Sequence, residues 1–219
     1  MNLMVWQLID SGFPSGGFAH SAGLEAAVQH GHVADGAGVR MFARQLLGQC
    51  GRGALPLVTA AHERPADVDE LNDLCDVFLS NPVANRASRA QGRALLTAIA
   101  RSFPHAETAS IAARMRSDTS AGHYAPLFGA LFTHLDVDLT DTQRAFVYIA
   151  ARGVCSAAVR LGLIGAYEAQ TIQAELTPEV DRIIEDCRTL EPYEIAQTAP
   201  LIELLQSTHD RLYSRLFQS

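Results

Sequence analysis

An all-α architecture is expected for this chain from three of its properties. Its 219 residues are 48% hydrophobic but only 7% aromatic, and a core of small and aliphatic side chains suits close helix–helix contact better than a β-sandwich. Apolar residues recur at a helical period between short polar breaks. Strand signals are scarce, since no Asn-Gly or Asp-Gly turn separates two alternating runs.

Each helix has a local reason. Gly23 to His30 forms a short one that stops at Gly31, a residue suited to a left-handed terminator. Gly38 to Gln49 gathers Val39, Phe42, Ala43, Leu46 and Leu47 on one face. Leu55 to Glu63 follows and breaks before Pro65. Asp67 with Glu70 three residues on makes a capping pair for a helix through Leu79. Asn81-Pro82 sets a capping side chain before a proline at the first helical position, starting a helix to about Arg101. Glu107 to Arg116 is helical, and Ser117 to Gly122 is a polar break. Tyr124 to Leu135 is apolar on most sides and therefore central. Thr140 with Gln143 gives a capping-box pattern ahead of the longest stretch, in which Phe146, Ile149, Ala150, Val154, Ala157, Ala158 and Leu161 keep the period. Thr177-Pro178 announces another helix through Arg188, Pro192 and Pro200 bracket a linker, and a last helical segment runs from Leu201 to the end. The division expected is a helical domain over 1–198 and a tail over 199–219.

Composition narrows the function. A formal net charge of −7 argues against nucleic acid as the main partner. No apolar run reaches the ~20 residues of a membrane span, and no basic segment followed by an apolar stretch opens the chain, so a cytoplasmic protein is expected. All 17 basic residues are arginine. Schiff-base, P-loop and kinase-type lysines are thereby excluded. Cys50, Cys75, Cys155 and Cys187 are dispersed and fit buried thiols in a reducing compartment. The eight histidines are scattered; His30 and His32 flank Gly31, but no H-E-x-x-H or His-rich tract exists, so no metal or directly bound cofactor is assigned. A hydrolase could be assembled on paper from Ser11 or Ser15 with His20, yet the nucleophile elbow and a strand scaffold are missing. A helical enzyme and an unrelated helical interaction module remain as alternatives.

Three segments stand out. The first, Asp10 to Glu25, is glycine-rich and carries Phe13, Pro14, Gly16, Gly17, Phe18 and Glu25. It suits a connection that brings two helices close and anchors them with Phe13 and Phe18. The second, Ser80 to Leu96, spaces Arg86, Arg89 and Arg93 on one helical face beside Gly92. That stripe is either solvated or an interface, and Gly92 suggests close packing. The third is the tail, which keeps Leu212, Tyr213, Leu216 and Phe217 among its final residues, where chain ends are ordinarily polar. Such a terminus docks on its own domain or enters a partner's groove. The Ala- and Gly-rich Val154 to Leu163 fits an internal core, with packing across a two-fold axis as the other reading.

These segments resemble the UreF family of urease accessory proteins. A glycine pair, an aromatic residue and then Gly23-Leu24-Glu25 look like the family signature, and Arg86 through Gln91-Gly92 resembles its central helix. His123-Tyr124-Ala125-Pro126-Leu127-Phe128-Gly129, Ala157-Ala158-Val159-Arg160-Leu161-Gly162 and Leu212 to Phe217 extend the likeness in consistent order from near Trp6 to Ser219. Gly12-Phe13 and His20 are variants that look closer to the plant-like branch. The resemblance implies a helical, non-catalytic homodimer that binds a UreD/UreH-type protein. With it, the protein recruits the UreG GTPase to apo-urease, so nickel and GTP are handled by the complex. It also implies that the tail, with Arg211, Tyr213, Arg215, Leu216 and Phe217, meets the UreD/UreH-type partner and becomes ordered on binding.

Overall fold

The computed structural model describes residues 3–117 and 122–219, and in those residues it is all-α, with no strand. Most of the polar break expected at Ser117 to Gly122 lies outside the described residues. Side-chain caps set several helix starts. Asp35 accepts from the Gly38 N–H at 2.9 Å and opens α3 (Gly36–Gly53), after α1 (Leu3–Ile9) and α2 (Leu24–Gln29). Helices α4 (Leu55–Glu63) and α5 (Val68–Phe78) follow. Asn81 accepts from the Val83 and Ala84 N–H groups at 3.0 and 3.4 Å, and with Pro82 in place begins α6 (Pro82–Ser102). Then come α7 (Ala106–Ser117), α8 (Tyr124–His134), α9 (Leu139–Arg160), α10 (Ala166–Cys187) and α11 (Pro200–Ser207).

Four local expectations are overturned. Asp67 does not cap α5: its carboxylate takes the Arg64 guanidinium at 3.2 Å, and a 3-10 turn over Pro65–Asp67 leads into the helix. Thr140 does not cap α9, because Asp138 two residues earlier already accepts from the Asp141 N–H at 2.8 Å, while Gln143 turns inward and donates to Thr59. Pro178 starts no helix and lies inside α10. Leu176, Val180 and Ile183 continue the buried stripe begun by Ile172, and this packing outweighs the missing backbone donor. The tail is helical only to Ser207, with a 3-10 turn over His209–Arg211 beyond it.

Helix α8 is the axis of the core. Leu127, Phe128, Ala130, Leu131 and Phe132 are fully buried. Phe128 stacks on Phe132 at 3.9 Å and meets Tyr124 and Phe146 edge-on at 5.5 and 5.2 Å. Gly129 lets α4 pass against α8 backbone to backbone, since a Cβ there would lie 2.1 Å from the Val58 carbonyl oxygen. Helices α9, α10 and α3 complete the body. Val154, Cys155, Ala157 and Ala158 of α9 are buried within the chain itself.

The segment between Pro192 and Pro200 is tied down. Gln49 on α3 accepts from the Thr198 and Ala199 N–H groups and donates to the Gln197 side chain, and the Ala196 N–H reaches the Arg52 carbonyl at 3.2 Å. This sets α11 against α2 and α6, with Ile202 and Leu205 buried. No helix is long and apolar enough to cross a membrane, among the described residues.

Candidate functional site

The glycine-rich segment and the tail, read separately in the sequence, face each other. Gly23 precedes α2 in the left-handed region at φ 89°, and a Cβ there would meet Gln206 of α11 at 3.1 Å. One residue later the chain buries Leu24, then Glu25, which is 2% exposed. A buried carboxylate must be repaid in hydrogen bonds. Glu25 receives three: from the Leu216 N–H at 2.6 Å, the Phe217 N–H at 3.2 Å and His209 Nε2 at 3.1 Å.

The neighbouring backbone completes the pairing. Ser21 N–H donates to the Ser219 carbonyl at 2.7 Å, its hydroxyl to the same oxygen at 3.1 Å, and Gln218 N–H donates to the Ala19 carbonyl at 2.8 Å. Gln29 at the end of α2 donates to the Ser214 carbonyl at 2.7 Å. These bonds explain why the tail leaves the helix: its backbone groups are satisfied by residues 19–29 instead of by its own next turn.

Arg160, at the end of α9, is held between two rings. Its guanidinium carbon lies 4.0 Å from the Phe18 centroid and 4.1 Å from that of Phe217, and it also donates to the Phe18 carbonyl. Cation–π attraction thus binds tail to body. Helix α6 contributes Arg86, which grips both oxygens of Asp210 at 2.8 and 3.0 Å, and Asn81, which donates to the Glu203 carbonyl at 3.0 Å. His20 Nδ1 lies 2.6 Å from the Ser219 hydroxyl. Burial pushes the His20 imidazole down to about 4, and His209 and Arg86 add to that effect.

The predicted site residues therefore separate by position. Glu25, Arg86 and Phe217 belong to the clamp that these contacts form between residues 18–29, α6, the end of α9 and the tail, with Phe217 only 5% exposed and turned into its own chain. Phe18 does not bridge two helices as expected; it is 65% exposed and forms one wall for Arg160. Phe13 stacks on Phe103 at 6.5 Å, Pro14 is exposed, and Gly16 at φ 78° leads through Gly17 into a 3-10 turn over Gly17–Ala19. Tyr213, Arg215 and Leu216 face solvent, as does Arg211.

Arg89 and Arg93 share a helical face with Arg86 but stand by a second polar cluster. At Gly92 a Cβ would be 2.1 Å from the Gly122 carbonyl oxygen, so the chain passes directly over α6 there. Asn72 accepts from the His123 N–H at 2.7 Å. His123 is fully buried, with Nε2 3.0 Å from Asp76 and Nδ1 3.1 Å from the Ser88 hydroxyl. Asp76 only accepts, so Nε2 carries a proton; in the neutral ring Nδ1 then takes the Ser88 hydrogen, and Ser88 accepts from the Tyr124 N–H at 3.1 Å. Burial lowers the His123 pKa, partly opposed by Asp76. The chain of bonds fastens the start of α8 to α5 and α6.

Sequence reasoning missed Ser21, Gln29, Arg160, His209 and Asp210 as members of the clamp. One signal was present: Glu25 sits amid Leu24, Ala26 and Ala27, a carboxylate in an apolar run. The hydrolase alternative placed His20 with Ser11 or Ser15, whereas its ring meets Ser219. No three His, Cys, Asp or Glu side chains are grouped to hold a metal, among the described residues.

Comparison with known proteins adds the family. Residues 33–177 match the family model named UreF. Urease accessory protein F of Oryza sativa subsp. indica is 37% identical over 216 residues, covering 97% of this chain and 83% of the relative. Urease accessory protein F of Arabidopsis thaliana is 34% identical, covering 98% and 91%. Urease accessory protein UreF of Arthrobacter sp. (strain FB24) is 28% identical, covering 99% and 96%.

Proposed function

Since the chain belongs to the UreF family of urease accessory proteins, we propose that it is a non-catalytic, cytoplasmic adaptor in urease maturation. As a homodimer it binds a UreD/UreH-type accessory protein, and the pair recruits the UreG GTPase to apo-urease for nickel insertion. Nickel is cargo of the assembly, and GTP chemistry belongs to UreG; a chain without lysine has no P-loop of its own.

The observation that carries this reading is the form of the tail. Residues 199–207 are seated on the body, and beyond them the chain turns outward at Tyr213, Arg215 and Leu216 before Phe217 re-enters. Tyr213 is fully exposed and Leu216 is 53% exposed. Two apolar side chains flanked by Arg211 and Arg215 fit an apolar groove with a carboxylate rim, and aromatic residues and arginine are the types that dominate interface energetics. Within the 199–219 element the docking anchors are Tyr213 and Leu216, with Phe217 holding the segment from below.

Light scattering on the protein alone and with its cognate UreD/UreH-type protein tests the assembly. A dimer that gains the partner is expected, and Tyr213→Ala with Leu216→Ala should weaken the complex by roughly tenfold or more while helicity is retained. Unchanged affinity in the double variant would remove the tail from the interface. Failure of the intact protein to bind the partner, or to restore urease activity to a strain lacking its UreF, would remove the adaptor role.

A further inference from the structure

We propose that α7 is a proton-released flap: the stacked rings of His105 and His134 seat its start against the end of α8, and protonating the pair lets the helix swing off the body. The flap is independent of the docking proposed above and needs no partner.

Helix α7 is weakly seated. Thr108 and Ile111 face inward, and Ala112 and Met115 pack partly against the core. Thr108 is a poor anchor, because it is fully enclosed and its hydroxyl has no hydrogen-bond partner. An unpaired buried hydroxyl is costly, and an outward swing of α7 returns it to water. At the start of the helix an open cleft of about 350 Å³, lined by Ala100, Pro104, His105, Ala106 and Ala109, keeps the first turn off the last turns of α6. Farther along, Arg114 pairs with Asp69 of α5 at 3.0 Å, but both side chains are about half exposed, and such a pair adds little in water.

The two histidines close the remaining end. Their ring centroids are 5.9 Å apart and their planes differ by 21°. His105 Nδ1 lies 2.7 Å from the Glu107 carboxylate, which only accepts, so Nδ1 carries the proton. Glu107 balances one positive charge on the pair, whereas two cations at this separation repel each other. His134 stands in the last turn of α8, where the helix end favours a cation. Burial nevertheless lowers its pKa; Glu107 opposes that effect and His105 adds to it. Of the other charged or titratable groups nearby, His62 of α4 is turned to the Val137 carbonyl at 2.8 Å, Asp138 caps α9, and Glu63, Arg101 and Asp136 are exposed.

The sign of the pH effect follows. With its folded pKa below the ordinary 6.5, His134 binds a proton more weakly in the seated helix than in the open one. Its contribution to the seat is complete above pH 6.5 and is lost as the pH falls. Release uncovers the sides of α6 and α8 on which α7 rests, an apolar surface hidden at neutral pH.

The test follows amide exchange of the full-length protein at pH 7.5 and 5.5, expressed as protection relative to an unstructured chain. Wild type is compared with His134→Asn and Thr108→Val. In wild type, protection of residues 107–115 is expected to fall by about tenfold or more at pH 5.5 while that of α9 and α10 is kept. His134→Asn should give α7 the same protection at both pH values. Thr108→Val replaces the unpaired hydroxyl with a methyl group, so it should raise α7 protection about fivefold at both and leave the fall with pH in place.

Equal protection of wild-type α7 at the two pH values would overturn the flap. A parallel loss in α9 and α10 would do the same, because it marks general acid unfolding, as would a His134→Asn protein that keeps the full fall. If His134→Asn does not fold, His105→Asn interrogates the same pair from a half-exposed position: loss of the pH dependence is expected, and its retention would overturn the proposal.

Discussion

At Gly92 one hydrogen stands where a methyl group would meet the main chain of Gly122 and His123. Because the obstacle is backbone, it cannot swing aside. Gly92→Ala is therefore expected to destabilise by about 2 kcal/mol despite the gain in helix propensity. Gly153 in α9 is the control, since a Cβ there meets nothing within 4 Å. Gly153→Ala should stabilise by up to about 1 kcal/mol, and urea unfolding of the two variants checks the contrast. His20 makes a second prediction at this scale. Its folded pKa, near 4, is below the ordinary 6.5, so the folded state binds fewer protons than the unfolded chain between those values. Stability from this residue is complete above pH 6.5 and is lost as pH falls toward 4. Unfolding midpoints at pH 7.5, 5.5 and 4.5 should decline in wild type and decline less in His20→Asn.

Helices start where the nearest suitable acceptor is free to act, and this separates what was legible from what was not. Asn81-Pro82 was legible because both signals act within their own turn. Asp67 and Thr140 carried equally good local patterns, but Arg64 engaged one and the Asp138 carboxylate pre-empted the other. Helix α8 could be recognised as central because apolar residues surround it. The clamp could not, since Leu216 and Glu25 are 191 positions apart and no periodicity links them. Each half was singled out as unusual; that they explain one another was visible only in three dimensions. Pro178 shows tertiary packing overriding a local break. Its solvent-facing position inside α10 predicts that Pro178→Ala restores a backbone donor and raises stability by about 1–3 kcal/mol, measurable as a higher melting temperature.

For the molecule as a whole, the tail is both a binding element and part of the core. Ala199, Ile202, Leu205 and Phe217 are each buried against the body, and burying one large apolar side chain is worth about 2 kcal/mol. Deleting residues 199–219 is thus expected to lower the melting temperature markedly and to expose the sides of α2 and α6, so loss of partner binding in a truncated protein would mix docking with folding. Point changes at the exposed Tyr213 and Leu216 avoid this ambiguity. The thiols bear on how the tail is observed. Burial raises all four cysteine pKa values, to about 12 for Cys50 and Cys75 and about 11 for Cys155, and maleimide chemistry needs the thiolate. A cysteine introduced at the exposed Tyr213 position would therefore react far ahead of the native four, and a fluorophore placed there would report on the surroundings of the exposed tail while the native thiols stay unlabelled.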